Sequence, residues 1–433
     1  MHRLKPDPAN LHGYTMKTVA LAIVLIASLP ALAGDADAKS WPRWRGPHDL
    51  GSTTVGEYPA EFSDTKHVLW KAALPGKGCS TPAVVGEQIL ITCPVDGHDS
   101  VLSYDWSGKL QWQAQVGQEK PGKHRNGSAA NSSPVTDGQY AFAYFRSGNL
   151  AGLDLAGKVL WKTNLTERFA KDTLYWDIGT SPVLTSNACV VAVMHSGESY
   201  LAAFEKASGE LLWKVARNYQ TPVEGDHSYA TPILIEHAGK QAILVWGAER
   251  LTAHNAANGE ILWTCSGFNP KKQGNWVVVA SAIVVDDMAI VPYGRGSHLV
   301  GVKLGGSGDV TETHRVWTRN DTGTFVPSPV AYEGKLYLVR DAGEVECLDP
   351  KTGETLWSDR FPKNSNKYYS SPTIAGGRLY AAREDGVVMV ADIGANFTLL
   401  AQNDMQERII ASPVPIDSRL LIRGEKHLFC VGE

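Results

Sequence analysis

The feature that most constrains the fold of this chain is a short pattern that recurs eight times along its 433 residues. A Ser or Thr followed by Pro opens an apolar run in seven units, and Ser281-Ala282 opens the remaining one. Successive units lie 52, 48, 50, 50, 47, 43 and 41 residues apart. Repeats of this length are typical of propellers and solenoids, in which each unit is one supersecondary element. The seven dipeptides are Thr81-Pro82, Ser133-Pro134, Ser181-Pro182, Thr231-Pro232, Ser328-Pro329, Ser371-Pro372 and Ser412-Pro413.

Each unit is predicted to contain four short strands. A second series runs in step with the first and ends one apolar run per unit: Trp70, Trp112, Trp161, Trp213, Trp263, Trp317 and Trp357, with Leu400 in the eighth place. Glycine-containing dipeptides typical of tight turns separate the apolar runs within a unit. In the unit that begins at Ser133, this pattern predicts strands at 133–136, 140–145, 149–153 and 159–161.

The two ends of the repeat complement each other. A lone fourth strand is predicted at 67–70, and the last unit contains only three strands, at 413–416, 419–423 and 427–431. Joining these fragments leaves no open sheet edge around a ring. The sequence therefore predicts an all-β fold, an eight-bladed β-propeller of four-stranded antiparallel blades, in which the N-terminal strand completes the C-terminal blade. We assign residues 67–433 to the propeller and expect 34–66, with Trp41 and Trp44, to pack on the ring.

Three units carry a longer signature, at 203–213, 253–263 and 347–357, in which a Gly-Glu pair precedes the Trp by three or four residues. This signature resembles the tryptophan-docking motif of the PQQ-like (quinoprotein alcohol dehydrogenase-like) propeller family, which includes the outer membrane protein assembly factor type. The Gly permits the tight turn, and the Trp is expected to bury its ring between neighbouring blades. We therefore expect docking roles for Trp112, Trp161, Trp213, Trp263, Trp317 and Trp357.

The amino terminus has the pattern of a secretory signal peptide. Met16 and Lys17 precede an uncharged run from Thr18 to Ala33, which is shorter than a membrane span, and no second such run follows. We therefore predict cleavage near Ala33, export to the periplasm or the medium and no transmembrane segment, with residues 1–15 as an upstream extension. The 41 Lys plus Arg against 45 Asp plus Glu give a net charge of −4, which argues against a nucleic-acid partner. We expect a monomer.

Four consecutive connections between units are longer than the others, and they predict the binding face. In a propeller these connections surround one mouth of the central channel, where ligands usually bind. The expected binding residues are His124, Arg125, Asn131, Trp176, Asp177, Asp226, His227, Tyr229 and Trp276.

Three functions remain open at this stage. The leading hypothesis is an exported, non-catalytic scaffold that binds a protein, a peptide or a small molecule at the channel mouth. The alternatives are a soluble PQQ-dependent dehydrogenase, with PQQ and calcium at the mouth, and an outer membrane assembly factor-like protein. A dehydrogenase would use Asp177, Asp226 or Glu224 as general base or calcium ligand and Arg125 to hold the quinone. The adjacent Cys pair and the Cys-x-x-Cys-His site of the quinoproteins that the chain resembles are absent from the sequence, and we assign no metal site.

Two of the six cysteines, Cys79 and Cys93, flank a predicted hairpin that turns near Gly86. An exported protein would permit a disulfide bond between them. Two buried thiols are the equal alternative.

Overall fold

The structure, a computed structural model, describes residues 1–2 and 39–433. These residues form eight four-stranded antiparallel sheets arranged as the blades of a ring, so the predicted eight-bladed β-propeller is confirmed. The predicted signal peptide and its cleavage site near Ala33 lie outside the described residues. Among the described residues, no helix is both long and apolar enough to cross a membrane.

The strands follow the predicted turns closely. From the channel outwards, blade 1 contains Ala83–Val85, Gln88–Val95, His98–Tyr104 and Leu110–Gln118; blade 2 Val135–Thr136, Tyr140–Tyr144, Asn149–Asp154 and Val159–Asn164; blade 3 Val183–Leu184, Ala188–Val193, Tyr200–Glu205 and Leu211–Ala216; and blade 4 Ile233–His237, Lys240–Gly247, Arg250–Asn255 and Ile261–Cys265. Blade 5 contains Ile283–Val285, Met288–Tyr293, His298–Lys303 and Arg315–Arg319; blade 6 Val330–Tyr332, Lys335–Val339, Glu344–Leu348 and Thr355–Arg360; blade 7 Thr373–Ala375, Arg378–Ala382, Val387–Asp392 and Thr398–Asp404; and blade 8 Val414–Ile416, Arg419–Arg423, His427–Val431 and Val68–Ala73.

Blade 8 closes the ring with strands from both ends of the described chain. Val68–Ala73 pairs antiparallel with His427–Val431, so that Ala73 lies opposite His427 and Val68 opposite Val431. The predicted completion of the C-terminal blade by an N-terminal strand is therefore confirmed. Blade 8 therefore contains all four strands, and no sheet edge is left open where the ring closes.

A few elements depart from the repeat. Two short α-helices, Leu165–Arg168 and Thr311–His314, and one 3-10 helix, Gly294–Gly296, occur in connections. The strand Gly308–Asp309 lies in an insertion between the third and fourth strands of blade 5 and pairs parallel with the outer strand of blade 4. Blade 4 therefore has a fifth strand on its outer edge.

The tryptophan series packs each blade against the next one. Trp213 is largely buried, and its indole N–H donates to the carbonyl of Ala256 in blade 4 at 3.2 Å. Gly259 turns under the same ring at φ +76°, where a Cβ would lie 2.7 Å from Trp213 Cε3, so the motif requires glycine there. Trp112, Trp161 and Trp317 repeat this arrangement, with donor–acceptor distances of 3.1, 2.8 and 3.0 Å to Leu155, Lys206 and Pro350.

The two remaining docking candidates lack this hydrogen bond. Trp263 is fully buried, but its indole nitrogen has no partner among the described residues, because the insertion in blade 5 replaces the usual glycine turn. Trp357 is half-buried, and its ring lies 6.1 Å from that of Phe397 in blade 7.

The Ser/Thr of the repeat forms a hydrogen-bonded belt around the channel. In seven of these eight residues, the backbone N–H donates to the hydroxyl of the counterpart in the next blade, at 2.9 to 3.1 Å. The bond from Ser412 N to Thr81 Oγ1 joins the last blade to the first. Seven of the eight junctions have this bond, including both junctions of Ser281, where the proline is missing. The hydroxyl is therefore the part of the dipeptide that joins neighbouring blades.

The segment before the ring crosses the channel at the end opposite the long connections. Its strands Ser40–Trp41 and Ser52–Thr53 pair with the innermost strands of blades 1 and 7. Between them, the buried Arg45 donates to the carbonyls of Pro372 and Pro329, both at 2.9 Å. Trp41 is buried in the core between blades 1 and 8, and Trp44 faces the channel. The channel is therefore obstructed at this end.

Candidate functional site

The long connections, residues 119–134, 169–182, 217–232 and 266–282, surround the open end of the channel; we call this end the loop face. A cavity of about 310 Å³ lies at its centre and continues into a deeper space of about 190 Å³, which the Ser/Thr belt and Trp44 line. All four long connections contribute to the mouth cavity. Its lining includes His124, Asn126, Asn131, Trp176, Asp177, Tyr229, Val279, Arg295, Phe325, Val326 and Tyr369.

Five of the nine expected binding residues line this cavity: His124, Asn131, Trp176, Asp177 and Tyr229. The ring of His124 contacts that of Trp176 edge-on, at 4.8 Å between centroids. The hydroxyl oxygen of Tyr229 accepts a hydrogen bond from the backbone N–H of Trp176 at 2.9 Å. Burial raises the pKa of Tyr229, so the side chain is a neutral phenol at physiological pH. The mouth is therefore built largely from aromatic rings.

Asp177 is held by protein groups on both of its oxygens. It forms a buried ion pair with Arg146, and the backbone N–H of Lys123 lies 2.9 Å from each oxygen. The carboxylate fixes the first long connection against the second. It has no oxygen directed to the cavity without a protein donor.

Asn131 is committed in the same way. Its Oδ1 accepts from the backbone N–H and from the hydroxyl of Ser128, both at 2.8 Å, and its Nδ2 donates to the carbonyl of Ile178 at 3.2 Å. These three bonds shape the long connections rather than present a ligand to the channel.

Arg125 belongs to an ion cluster at the rim of the mouth. Its guanidinium lies 3.4 Å from the carboxylate of Glu384, which is also 3.1 Å from Arg408. Arg408 and Lys77 share Glu425 at 3.3 and 3.2 Å. The side chain of Glu384 is buried, so the cluster ties the first long connection to blades 7 and 8 across the ring.

The remaining expected residues lie outside the mouth cavity. Asp226 and His227 gather around Ser196, whose Oγ is 3.2 Å from Asp226 Oδ1 and 2.9 Å from His227 Nε2. Nδ1 of His227 has no partner among the described residues, so this is not a nucleophile–base–carboxylate relay, in which the carboxylate binds that nitrogen. Glu224 lies in the turn before Asp226, with φ +62°.

Trp276 is a core residue rather than a mouth residue. Its indole N–H donates to the carbonyl of Phe268 at 2.8 Å, and the side chain is buried between blades 4 and 5. It does not line the mouth cavity, where we expected it to contribute to binding.

Four lining residues lie outside the long connections and were therefore not predicted: Arg295, Phe325, Val326 and Tyr369. Phe325 and Tyr369 lie on short connections between blades, and Arg295 lies in the hairpin between the second and third strands of blade 5. The second-to-third hairpins of all blades also reach the loop face. The signal that could have found Arg295 is the Gly294-Arg-Gly296 sequence at the hairpin tip.

A larger cavity of about 580 Å³ lies on the opposite face, between the turns of blades 4 and 5 and the segment before the ring. Its lining contains no Phe, Tyr or Trp, and Asp286 and Asp287 are paired with Lys351 and Lys303 at 3.5 and 3.7 Å. The mouth cavity, which combines aromatic rings with the exposed Arg295, is the stronger candidate for a binding site.

The residues at the mouth do not fit PQQ with calcium. Calcium requires six to eight oxygen ligands, whereas the oxygens of Asp177 and Asn131 already accept from protein donors. Arg125, the expected quinone partner, is paired with Glu384. Within residues 1–2 and 39–433, no group of three or more His, Cys, Asp and Glu side chains could hold a metal ion.

Cys79 and Cys93 are separate thiols, so the alternative of a disulfide bond between them is not realised. Cys93 Sγ donates to the carbonyl of Gly76 at 3.2 Å, and Cys79 Sγ lies 3.7 Å from the carbonyl of Asn126. Burial raises the pKa of both thiols, which keeps them protonated and poorly reactive.

Comparison with known proteins agrees with the fold. The BamB protein of Escherichia coli, an outer membrane protein assembly factor, is 26% identical over 95 residues, which are 22% of this chain and 23% of that protein's length. The crystal structure of BamB from Moraxella catarrhalis superposes with a TM-score of 0.60 at 16% identity, covering 84% of this chain and 99% of that one. The quinohemoprotein alcohol dehydrogenase from Comamonas testosteroni gives a TM-score of 0.68 at 12% identity, covering 93% and 82%. At these identities the two structures show the fold alone.

A family model described as "Outer membrane protein assembly factor BamB" matches residues 52–231, 179–324 and 308–396, which together span most of the chain. The chain belongs to this family of PQQ-like β-propellers.

Proposed function

We propose that this protein is an exported, non-catalytic propeller that binds a protein partner at the mouth cavity of the loop face. One observation carries the proposal. The mouth is lined by the aromatic rings of Trp176, Tyr229, Phe325 and Tyr369, whereas its carboxylate, Asp177, is committed to the ion pair with Arg146. Such a site can bind, and its carboxylate is not available as a general base or as a metal ligand.

The exposed apolar side chains support a protein as the partner. Tyr175, Trp176 and Val223 are 61%, 41% and 76% exposed, and all three lie on the loop face. The other large apolar side chains exposed in residues 39–433 lie on the outer strands of the blades, spread around the ring. Clustered, exposed aromatic residues are typical of the centres of protein interfaces. The patch next to the mouth is therefore the surface on which we place the partner.

Membership of the family described as an outer membrane protein assembly factor favours a role in handling other exported proteins. We propose that this chain acts in the periplasm or outside the cell. The alternative of a soluble quinoprotein dehydrogenase gains no support from the residues at the mouth.

Site-specific photo-crosslinking in the producing cells tests this proposal. A benzoylphenylalanine at Tyr175 or Val223 is expected to give one discrete crosslinked adduct. The same group at Leu356, which is 51% exposed but lies on the outer strand of blade 6, is the matched control and is expected to give none.

Titration of the purified protein with PQQ and calcium provides the second readout. We expect no shift of the thermal midpoint and no dye-linked oxidation of alcohols or sugars. Equal crosslinking at all three positions, or PQQ-dependent turnover, would show that the proposed function is wrong.

A further inference from the structure

Arg295 is held at the edge of the mouth cavity in an unusual backbone conformation. Its φ is +56°, and the flanking Gly294 and Gly296 also have positive φ, at +63° and +84°. A left-handed conformation is uncommon for a side chain such as Arg, and residues of this kind are concentrated at ligand clamps. The hairpin tip is fixed from two sides: Ser297 Oγ donates to the carbonyl of Gly294 at 2.7 Å, and Arg340 donates to that of Gly296 at 3.3 Å.

The guanidinium of Arg295 is positioned but not neutralised. It lies 4.5 Å from the centre of the Phe325 ring, a cation–π contact, and makes one long hydrogen bond of 3.4 Å to the carbonyl of Asn275. Within residues 39–433, no carboxylate lies within ion-pair distance of it. Arg295 is exposed at the edge of the cavity, so several N–H groups of its guanidinium face solvent.

The other charges around the mouth compensate one another. Asp177 is paired with Arg146, and Glu384 lies between Arg125 and Arg408. The cation of Arg295 therefore adds positive charge to an aromatic cavity that contains no free carboxylate. Planar guanidinium groups bind carboxylates through two parallel hydrogen bonds.

We propose that Arg295 anchors a carboxylate of the bound partner, and that the mouth cavity takes this carboxylate together with an adjacent apolar side chain. The inference rests on the proposed function and specifies the chemistry that the mouth recognises. The carboxylate belongs either to an acidic side chain or to a chain terminus. Trp176, Phe325 and Tyr369 supply the surface for the apolar group.

Four short peptides test this chemistry. N-acetyl-Phe carries a terminal carboxylate and N-acetyl-Phe-Asp-amide a side-chain carboxylate, whereas N-acetyl-Phe-amide and N-acetyl-Phe-Asn-amide are their neutral counterparts. Binding is measured by ligand-observed NMR and by the intrinsic tryptophan fluorescence of the protein. We expect at least one charged peptide to bind saturably and about tenfold or more tightly than its neutral counterpart, as expected for a hydrogen bond to a charged group. The preferred charged peptide identifies the source of the carboxylate.

Variants of Arg295 connect binding to this side chain. Arg295→Gln is expected to weaken the charged peptide about tenfold or more and to leave the neutral peptides unchanged. Lys272→Gln, which removes another exposed cation from the loop face, is the control and is expected to have little effect. Arg295→Gly keeps the left-handed backbone at no steric cost, so it is expected to retain the thermal midpoint and still lose binding.

Equal binding of charged and neutral peptides, unchanged binding to Arg295→Gln, or no binding of any peptide would overturn the anchor. These failures are distinguishable from failure of the proposed function. If crosslinking from Tyr175 persists in Arg295→Gln while peptide binding never depends on charge, the partner site stands and the anchor does not. If the crosslinks themselves are absent, the proposed function is wrong.

Discussion

The variant Asp177→Asn tests whether the carboxylate of Asp177 stabilises the fold or serves catalysis or ligand binding. Its side chain is 2% exposed and that of its partner Arg146 is 4% exposed. Asp177→Asn keeps the shape but leaves the guanidinium of Arg146 buried without a counter-ion, which costs about 3–5 kcal/mol of the free energy of unfolding. The amide oxygen of the Asn variant also accepts the hydrogen bond from the backbone N–H of Lys123 more weakly than the carboxylate does, which lowers the stability further. We therefore expect a clearly destabilised variant.

Urea unfolding at neutral pH, followed by tryptophan fluorescence, measures this loss. Asp226→Asn is the matched control on the same face, since Asp226 is partly exposed and bonds Ser196 at 3.2 Å; we expect it to lose less than about 1 kcal/mol. The double variant Arg146→Met/Asp177→Leu removes both charges and is expected to recover most of the stability that the single variant loses.

Unchanged or increased stability of Asp177→Asn would refute this reasoning. Catalytic and ligand-binding carboxylates are often held at a cost to the fold, so that their removal stabilises the protein. Such a result would return Asp177 to the role of general base or calcium ligand and would weaken the binding-module proposal.

Three further predictions concern the ring itself, and urea unfolding measures each of them. Trp213→Ala should lower the free energy of unfolding by about 3–5 kcal/mol, whereas truncating its exposed neighbour in Leu212→Ala should change it by about 0.5 kcal/mol or less; equal losses would contradict docking. Ser281→Ala removes the acceptor for the Thr231 N–H and should cost about 1–3 kcal/mol; no loss would show that the belt is not stabilising. Burial lowers the pKa of His254 to about 4. Acidification from pH 6.5 to 4 should therefore lower the free energy of unfolding of the wild type by about 3 kcal/mol more than that of His254→Gln. A difference in stability between the two proteins that does not change with pH would exclude this linkage.

The sign for His254 follows from its contacts. Its Nδ1 is 2.9 Å from the carbonyl oxygen of Gly259, and its Nε2 is 2.9 Å from Thr252 Oγ1. The same Thr252 oxygen accepts a hydrogen bond from Arg217 at 3.1 Å. A carbonyl accepts only, so Nδ1 carries the proton and Nε2 accepts. Protonating Nε2 would place a second cation near Arg217, so the folded protein binds this proton more weakly than the unfolded chain does. The stability is present above pH 6.5 and is lost as the pH falls towards 4.

The architecture was predictable because it depends on local signals. In the unit from Ser133, the strands occur within a few residues of their predicted positions, since each turn contains a glycine or an Asx residue at a fixed offset. The role of the repeat's hydroxyl was not predictable from one unit. The hydroxyl accepts its hydrogen bond from a neighbouring blade. Ser181 Oγ, for example, accepts from the backbone N–H of Ser133, which lies 48 residues away in the sequence. Proline was the more conspicuous residue, but Ser281 shows that the belt persists without it.

The candidate site was predicted in part, for a related physical reason. Loop length identified the face on which the mouth cavity lies, and it placed Trp176 and Tyr229 at this mouth. Loop length could not show that the carboxylate of Asp177 is paired with Arg146, because an ion pair between two connections depends on how the blades are packed. Loop length also could not identify Phe325, which lines the cavity from a short connection.

The segment before the ring supports our proposal that the partner binds at the loop face. Arg45 bonds the innermost carbonyls of two blades, and Trp44 lines the deep end of the channel, so this end is filled by the chain itself. The space above it therefore opens towards the loop face. The walls of this mouth are joined by the buried ion pair of Asp177 with Arg146 and by the pair of Arg125 with Glu384 at the rim. A rigid site of this kind loses little conformational entropy when a partner binds. Asp177 and Arg125, which the sequence suggests for catalysis, form ion pairs that hold these walls in place. Arg295 forms no ion pair with the described residues, so it is the charge that we propose for binding the partner.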